Sequence, residues 1–213
     1  MNTPAHIADI LQLSPIMPVV TIEDPMSAPD LARALLRGGI RVIEVTLRTS
    51  QALRAIEAIA NEVPDICVGA GTVMLPEDLN SAANSGAAFA ISPGATRELL
   101  AAGANFRIPY LPAVATASEL MTGLAAGFRY FKLFPANVAG GIPALKSFYG
   151  PFPEARFCPT GGINVQTAAS YLEQPNVMCV GGSWLTPGDL LKARDWDRVE
   201  TLAREAASLR PVR

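Results

Sequence analysis

Only three of the 17 basic residues in this 213-residue chain are lysines, and of these only Lys132 lies inside an apolar run, Tyr130-Phe131-Lys132-Leu133-Phe134. Desolvation in such a run disfavours the ammonium ion, and a neutral amine is a nucleophile for a carbonyl carbon, which is how imine-forming sites are built. Lys146 and Lys192 stand in helical or loop contexts and read as solvated. Glu44 is the carboxylate in a comparable setting, within Val42-Ile43-Glu44-Val45-Thr46-Leu47. Alternation in a strand puts Glu44, Thr46 and Arg48 on one face and Ile43, Val45 and Leu47 on the other. The plain alternative for Lys132 and Glu44 is a structural ion pair, but buried pairs rarely add net stability. The pair therefore reads as a nucleophile and a general acid/base. Arg48, farther along the same face, offers a bidentate fork for a carboxylate, or else a surface salt bridge. Two glycine clusters, Thr160-Gly161-Gly162-Ile163-Asn164 and Val180-Gly181-Gly182-Ser183-Trp184, can turn backbone N–H groups toward a phosphate, or simply permit tight turns. Together these residues suggest a phosphorylated substrate with a ketone near a carboxylate.

Positioning them requires a particular scaffold. Apolar, β-branched runs alternate with Ala- and Leu-rich helical segments along the whole chain, and eight runs read as strands: Met17–Ile22, Val42–Leu47, Ile66–Gly71, Ala88–Ser92, Phe106–Leu111, Tyr130–Phe134, Arg156–Thr160 and Val177–Gly181. Their starts recur roughly every 20 to 27 residues, the length of one strand, one helix and two short loops. Pro29-Asp30 opens a helix that Gly38-Gly39 closes, Pro76-Glu77-Asp78 opens another before Gly86, and Thr116-Ala117-Ser118-Glu119 has the form of a capping box. The first strand lacks the glycine-rich turn of a dinucleotide-binding open sheet, since Thr21-Ile22-Glu23-Asp24-Pro25 follows it. The expected fold is a single α/β domain over residues 1–213, a (β/α)8 TIM barrel with an extra N-terminal helix over residues 1–14. That helix would cover the barrel end opposite the active-site mouth and carry His6 as a surface or packing residue. Glu44, Arg48 and Lys132 would then share the interior toward the mouth, and the glycine loops after the last two strands would form its phosphate site.

Composition removes other classes. One histidine in the whole chain excludes a Ser-His-Asp triad with an internal His and any multi-histidine metal site. A formal net charge of −2 with 17% charged residues leaves no basic footprint for nucleic acid. No stretch of about 18 uncharged apolar residues points to a membrane, and residues 1–13 lack a signal-peptide pattern. Cys67, Cys158 and Cys179 are odd in number, far apart and set in apolar runs, as reduced core cysteines are. A soluble cytoplasmic protein is the expectation.

Six segments at the ends of different strands carry a family resemblance: Glu44-Val45-Thr46-Leu47-Arg48, Val68-Gly69-Ala70-Gly71-Thr72-Val73, Ser92-Pro93-Gly94, Phe131-Lys132-Leu133-Phe134-Pro135-Ala136, Arg156-Phe157-Cys158-Pro159-Thr160-Gly161-Gly162 and Gly181-Gly182-Ser183-Trp184. In order and over nearly the whole chain, the sequence resembles the 2-keto-3-deoxy-6-phosphogluconate (KDPG) aldolases, class I aldolases of the Entner–Doudoroff pathway. The resemblance implies that Lys132 forms the Schiff base and that Glu44 works as general acid/base through a bound water. It implies that Arg48 and Thr72 hold the pyruvyl carboxylate, with Pro93 and Phe134 packed around it and Thr160 near the reacting carbons. Gly161, Gly162, Gly182 and Ser183 would bind the phosphate. It further implies a homotrimer that uses no metal and no cofactor beyond the covalent imine.

Two positions depart from the family pattern, Ala113 where a glycine often follows Leu-Pro, and Asn137 where a glutamate often follows Phe-Pro-Ala. Neither is expected to touch the Lys–Glu–Arg set; both bear on loop shape and on preference among 4-hydroxy-2-oxo acids. A relative acting mainly on 4-hydroxy-2-oxoglutarate or oxaloacetate would keep Lys132 and depend less on Ser183 and the glycine loops. A sugar-phosphate isomerase barrel would share those loops without needing an interior lysine beside a glutamate. A binding module that has lost catalysis would not need Lys132, Glu44 and Arg48 together.

Overall fold

A computed structural model describes residues 6–209. Its strands are β1 (Ile16–Val20), β2 (Val42–Thr46), β3 (Cys67–Gly71), β4 (Ala90–Ile91), β5 (Tyr110–Leu111), β6 (Ala113–Val114), β7 (Tyr130–Leu133), β8 (Arg156–Pro159) and β9 (Val180–Gly182). Between and around them run α1 (Ile7–Leu11), α2 (Ala28–Arg37), α3 (Ala52–Glu62), α4 (Pro76–Asn84), α5 (Arg97–Ala104), α6 (Ala117–Ala125), α7 (Gly141–Tyr149), α8 (Ala168–Leu172), α9 (Gly188–Ala193) and α10 (Trp196–Ala207). All strand pairs are parallel, in the orders β5-β4-β3-β2-β1-β9 and β6-β7-β8. Isolated parallel bridges, Phe157 to Val177 and Thr160 to Gly181, lie between the β8 and β9 segments. The result is an α/β fold around a curled parallel sheet.

The expected alternation holds. Outward-facing Ile43, Val45, Val68, Ala70, Phe131, Leu133, Phe157 and Val180 pack with helix residues in one large core. Inward-facing Met17, Val42, Phe89, Ile91, Leu111, Cys158 and Cys179 form a smaller one with Ile10 and Leu11. Both α1 side chains are fully buried, and each such burial is worth about 1.5–3 kcal/mol, so a five-residue helix too short to persist alone is held by its docking. His6 is the exposed residue preceding α1 and makes no side-chain cap bond. Residues 1–5 of the expected N-terminal helix lie outside the described residues.

The helix signals act as read. Thr116 accepts from Glu119 N at 3.3 Å and Glu119 Oε2 accepts from Thr116 N at 2.9 Å, the reciprocal capping box that starts α6. Asp78 similarly accepts from the N–H groups of Met74 and Leu75 at the start of α4.

The fifth strand differs from expectation. Phe106–Ile108 is not strand, and the paired stretch begins beyond Pro109 and runs through Val114 with a break at Pro112. Proline lacks an N–H, so regular pairing cannot continue through either position. The carbonyls of Pro109 and Leu111 accept from Ala90 and Ser92 on one side, while those of Pro112 and Val114 accept from Lys132 and Phe134 on the other. Ala113 is therefore a strand residue, in register with Lys132, rather than a loop residue remote from it. The eighth strand is also shorter than the expected Val177–Gly181, with Val177 held by its isolated bridge and β9 beginning at Val180.

Candidate active site

Lys132 and Glu44 meet inside the sheet although 88 residues separate them. Lys132 Nζ donates to Glu44 Oε1 at 2.9 Å and lies 3.3 Å from Oε2, with the side chains 6% and 2% exposed. Such burial is tolerated because each charge faces the other, and loss of either partner would strand the survivor. The ammonium also lies over the Phe134 ring, 5.3 Å from its centroid. Strand register places Lys132 between Ala113 on β6 and Cys158 on β8. Behind it Cys179 donates its thiol hydrogen to Cys158 Sγ at 3.5 Å. That bond, with the nearby Lys132 charge, lowers the Cys158 pKa; the same bond and burial hold Cys179 well above the usual thiol range. Burial alone pushes Cys67 up to about 12.

A cavity of about 390 Å³ opens at the carboxyl ends of β1, β2, β7, β8 and β9; Lys132 and Glu44 do not line it themselves, but Phe134, whose ring lies under the Lys132 ammonium, does. Among the expected site residues, Arg48, Phe134, Thr160, Gly161, Gly162, Gly182 and Ser183 line it. Arg48 is exposed just beyond the carboxyl end of β2, with β1 between β2 and the β9 glycine loop, so a cationic fork and a backbone cradle line one cleft. Gly161 and Gly162 adopt φ of 103° and 72°, where L side chains are rare, and a Cβ at Gly162 would overlap the Asn137 amide. Asn137 thus packs directly against the phosphate-loop candidate, closer to the site than expected. Thr160 is buried and donates to the Cys158 carbonyl at 3.3 Å.

Thr72 and Pro93 do not line this cavity; they stand at the carboxyl ends of β3 and β4, on the other side of β2. Thr72 has φ 60°, a conformation that strains a β-branched residue and that concentrates at functional sites. Among the lining residues that were not anticipated as site residues are Val19, Thr21 and Thr186. Val19 and Thr21 share the inward parity of Met17, a signal present in the first strand. Thr186 carries a buried hydroxyl with no hydrogen-bond partner among the described residues, and nothing in its local sequence marks it. No group of three His, Cys, Asp or Glu side chains able to hold a metal occurs among the described residues, and no described helix is long and apolar enough to cross a membrane.

Comparison with known proteins agrees with this geometry. The family model for KDPG and KHG aldolases matches residues 7–202. A 2-dehydro-3-deoxy-phosphogluconate aldolase of Pseudoalteromonas atlantica is 50% identical over 200 residues, 94% of this chain and 93% of that one. The KHG/KDPG aldolase of Escherichia coli K12 is 50% identical over 197 residues, 92% of each chain. Among solved structures, the KDPG aldolase of Legionella pneumophila, with pyruvate captured at low pH as a covalent carbinolamine, superposes with a TM-score of 0.92 at 48% identity, covering 94% of this chain and 97% of that one. The Zymomonas mobilis ZM4 enzyme with 3-phosphoglycerate gives 0.91 at 44% identity over 97% of each chain. With a buried lysine–glutamate pair inside its sheet and similarity along nearly its full length, this chain belongs to the KDPG and KHG aldolase family.

Proposed function

We propose that the protein is a class I aldolase that reversibly cleaves 2-keto-3-deoxy-6-phosphogluconate to pyruvate and D-glyceraldehyde 3-phosphate, a step of the Entner–Doudoroff pathway. The observation that carries this reading is the buried 2.9 Å contact between Lys132 Nζ and Glu44, joined through Phe134 to a cavity that Arg48 and the glycine loops line. Proton transfer along that contact leaves a neutral amine, which attacks the C2 ketone. Glu44 returns the proton to the carbinolamine hydroxyl, water leaves, and the protonated imine becomes an electron sink. Glu44, again a carboxylate, takes the C4 hydroxyl proton, the C3–C4 electron pair passes into the imine as an enamine, the aldehyde departs, and the same proton is available for C3. Protonation at C3 and hydrolysis release pyruvate and regenerate Lys132. The iminium takes up the electrons, so this reaction calls on no metal.

In this reading Arg48 and Thr72 hold the carboxylate, Pro93 and Phe134 pack around the pyruvyl group, and Thr160 faces the reacting carbons. Gly161, Gly162, Gly182 and Ser183 take the phosphate, and their place in the cleft wall favours a phosphorylated substrate over 4-hydroxy-2-oxoglutarate. The paired lysine and glutamate separate it from an isomerase barrel. The chain forms one domain, a closed (β/α)8 barrel with α1 over one end. Supporting closure, the Pro109–Val114 stretch pairs on both sides and bridges lie between β8 and β9. A cytoplasmic location accords with two thiols that stay unlinked at 3.5 Å. The assembly is a homotrimer, in keeping with exposed apolar side chains such as Met74 and Leu75, 59% and 58% accessible. Sedimentation should give about three times the 22.4 kDa chain mass, and a monomer would overturn that assignment.

Borohydride reduction in the presence of pyruvate tests the chemistry. Intact mass should show one pyruvyl adduct per chain, absent from folded Lys132→Ala and Lys132→Arg variants. An unmodified wild-type protein, or an adduct that survives both substitutions, would overturn the assignment of Lys132.

A further inference from the structure

The Thr21 hydroxyl is oriented by its neighbours so that only its acceptor side faces the cleft. Thr46 is buried, and its single hydroxyl hydrogen is committed to the Val20 carbonyl at 3.1 Å. The arrangement that satisfies both contacts then has the Thr21 hydroxyl donate across the 3.0 Å to Thr46 as acceptor. Thr21 has spent its donor, while its side chain remains exposed and lines the 390 Å³ cavity. What it can offer a ligand is a lone pair. That favours a hydroxyl and disfavours a carboxylate or phosphate oxygen, which would meet it acceptor to acceptor.

Its place along the cleft selects which hydroxyl. β1 lies between β9 and β2, with Met17 and Pro18 in register with Gly181 and Gly182 on one side and Val19 and Val20 with Glu44 and Val45 on the other. A substrate reaching from Arg48 on the β2 side to the loop at Gly182 and Ser183 must cross the end of β1. The atoms over Thr21 are then those between the cleaved bond and the phosphate. We infer that Thr21 is a specificity-determining residue that accepts a hydrogen bond from the C5 hydroxyl of the substrate, the hydroxyl that becomes the C2 hydroxyl of the aldehyde product. This rests on the aldolase reading above and adds to it a residue that selects hydroxylated aldehydes over deoxy ones.

The reverse, carbon–carbon bond-forming reaction isolates the contact. Pyruvate is condensed either with D-glyceraldehyde 3-phosphate or with 3-oxopropyl phosphate, which has the same length and phosphate but lacks the hydroxyl. A neutral hydrogen bond contributes about 0.5–1.5 kcal/mol net, so Thr21→Val should lower kcat/KM for glyceraldehyde 3-phosphate roughly 2- to 10-fold. The same variant should leave the rate with 3-oxopropyl phosphate and the borohydride trapping of pyruvate unchanged, and Thr21→Ser should behave as wild type with both aldehydes. An equal loss with both aldehydes would assign Thr21 a merely structural role, and no loss with either would remove it from recognition; both results overturn the inference alone. Failure of the wild-type protein to condense pyruvate with glyceraldehyde 3-phosphate would instead overturn the aldolase reading and this inference with it.

Discussion

Glu44 depends for its position on a residue that has no side chain. A Cβ at Gly71, its neighbour on β3, would overlap Glu44 Oε1 and would come within 2.6 Å of Cγ and 2.7 Å of Cδ. The glutamate cannot retreat through a close-packed interior, so Gly71→Ala must move the carboxylate away from Lys132. A displacement of about 1 Å in a reacting group can cost on the order of 100-fold in rate. We expect Gly71→Ala to lower kcat by about that factor and to slow imine trapping, with the circular dichroism spectrum retained. Wild-type turnover by this variant would show that the carboxylate's position is not limiting. The contrast with Lys132 explains what could be read from the chain itself. A charge in an apolar strand announces its cost locally, so Lys132 and Glu44 were legible. Gly71 was not, because its significance lies in Glu44 opposite it on another strand, and the parity of Thr21 indicates the face it shares with Met17 but not its pairing with Thr46.

At the level of elements, periodicity located every strand except β6, but not every boundary. The runs over Val42–Leu47 and Tyr130–Phe134 are bounded by polar or glycine-containing turns, and the strands β2 and β7 end within a residue of them. The run ending at Leu111 misled because hydrophobicity does not register the missing N–H groups of Pro109 and Pro112. Those two prolines shift the paired stretch toward its carboxyl end, while its successive carbonyls face opposite neighbours as in any strand paired on both sides. One consequence is functional. Ala113, which sequence pattern marks as a departure within a loop, becomes the strand neighbour of the Schiff-base candidate, and Asn137, marked the same way, supports Gly162. Departures near a site are easily noticed in sequence, but their distance from its reacting groups depends on register, which neither composition nor spacing supplies.

The molecule as a whole is fastened by its last helix. α10 lies on α2, burying Val199, Ala203 and Ala206, and approaches so closely that a Cβ at Gly38 would overlap Ala203. The chain's final helix thereby covers its first strand–helix unit. At the rim of this contact Arg37 Nε donates to Glu200 at 2.7 Å, and Arg204 donates to the other oxygen of the same carboxylate at 2.6 Å. The Arg37 hydrogen bond is the main cause holding the Glu200 carboxyl below its ordinary range. A carboxyl whose folded pKa is depressed stabilises the fold fully above its unfolded value, about 4.3, and loses that contribution as pH falls through the folded value. Arg37→Met keeps the aliphatic stem over α10 and removes the charge. Urea unfolding should therefore show the variant less stable than wild type near neutral pH, by the modest amount usual for a solvent-exposed pair. The gap should narrow below about pH 4 and close once Glu200 is protonated in both proteins. A gap of constant size down to the acid limit of the native state would mean that Arg37 fastens α10 through packing of its stem, and that the ion pair contributes nothing to closing the fold.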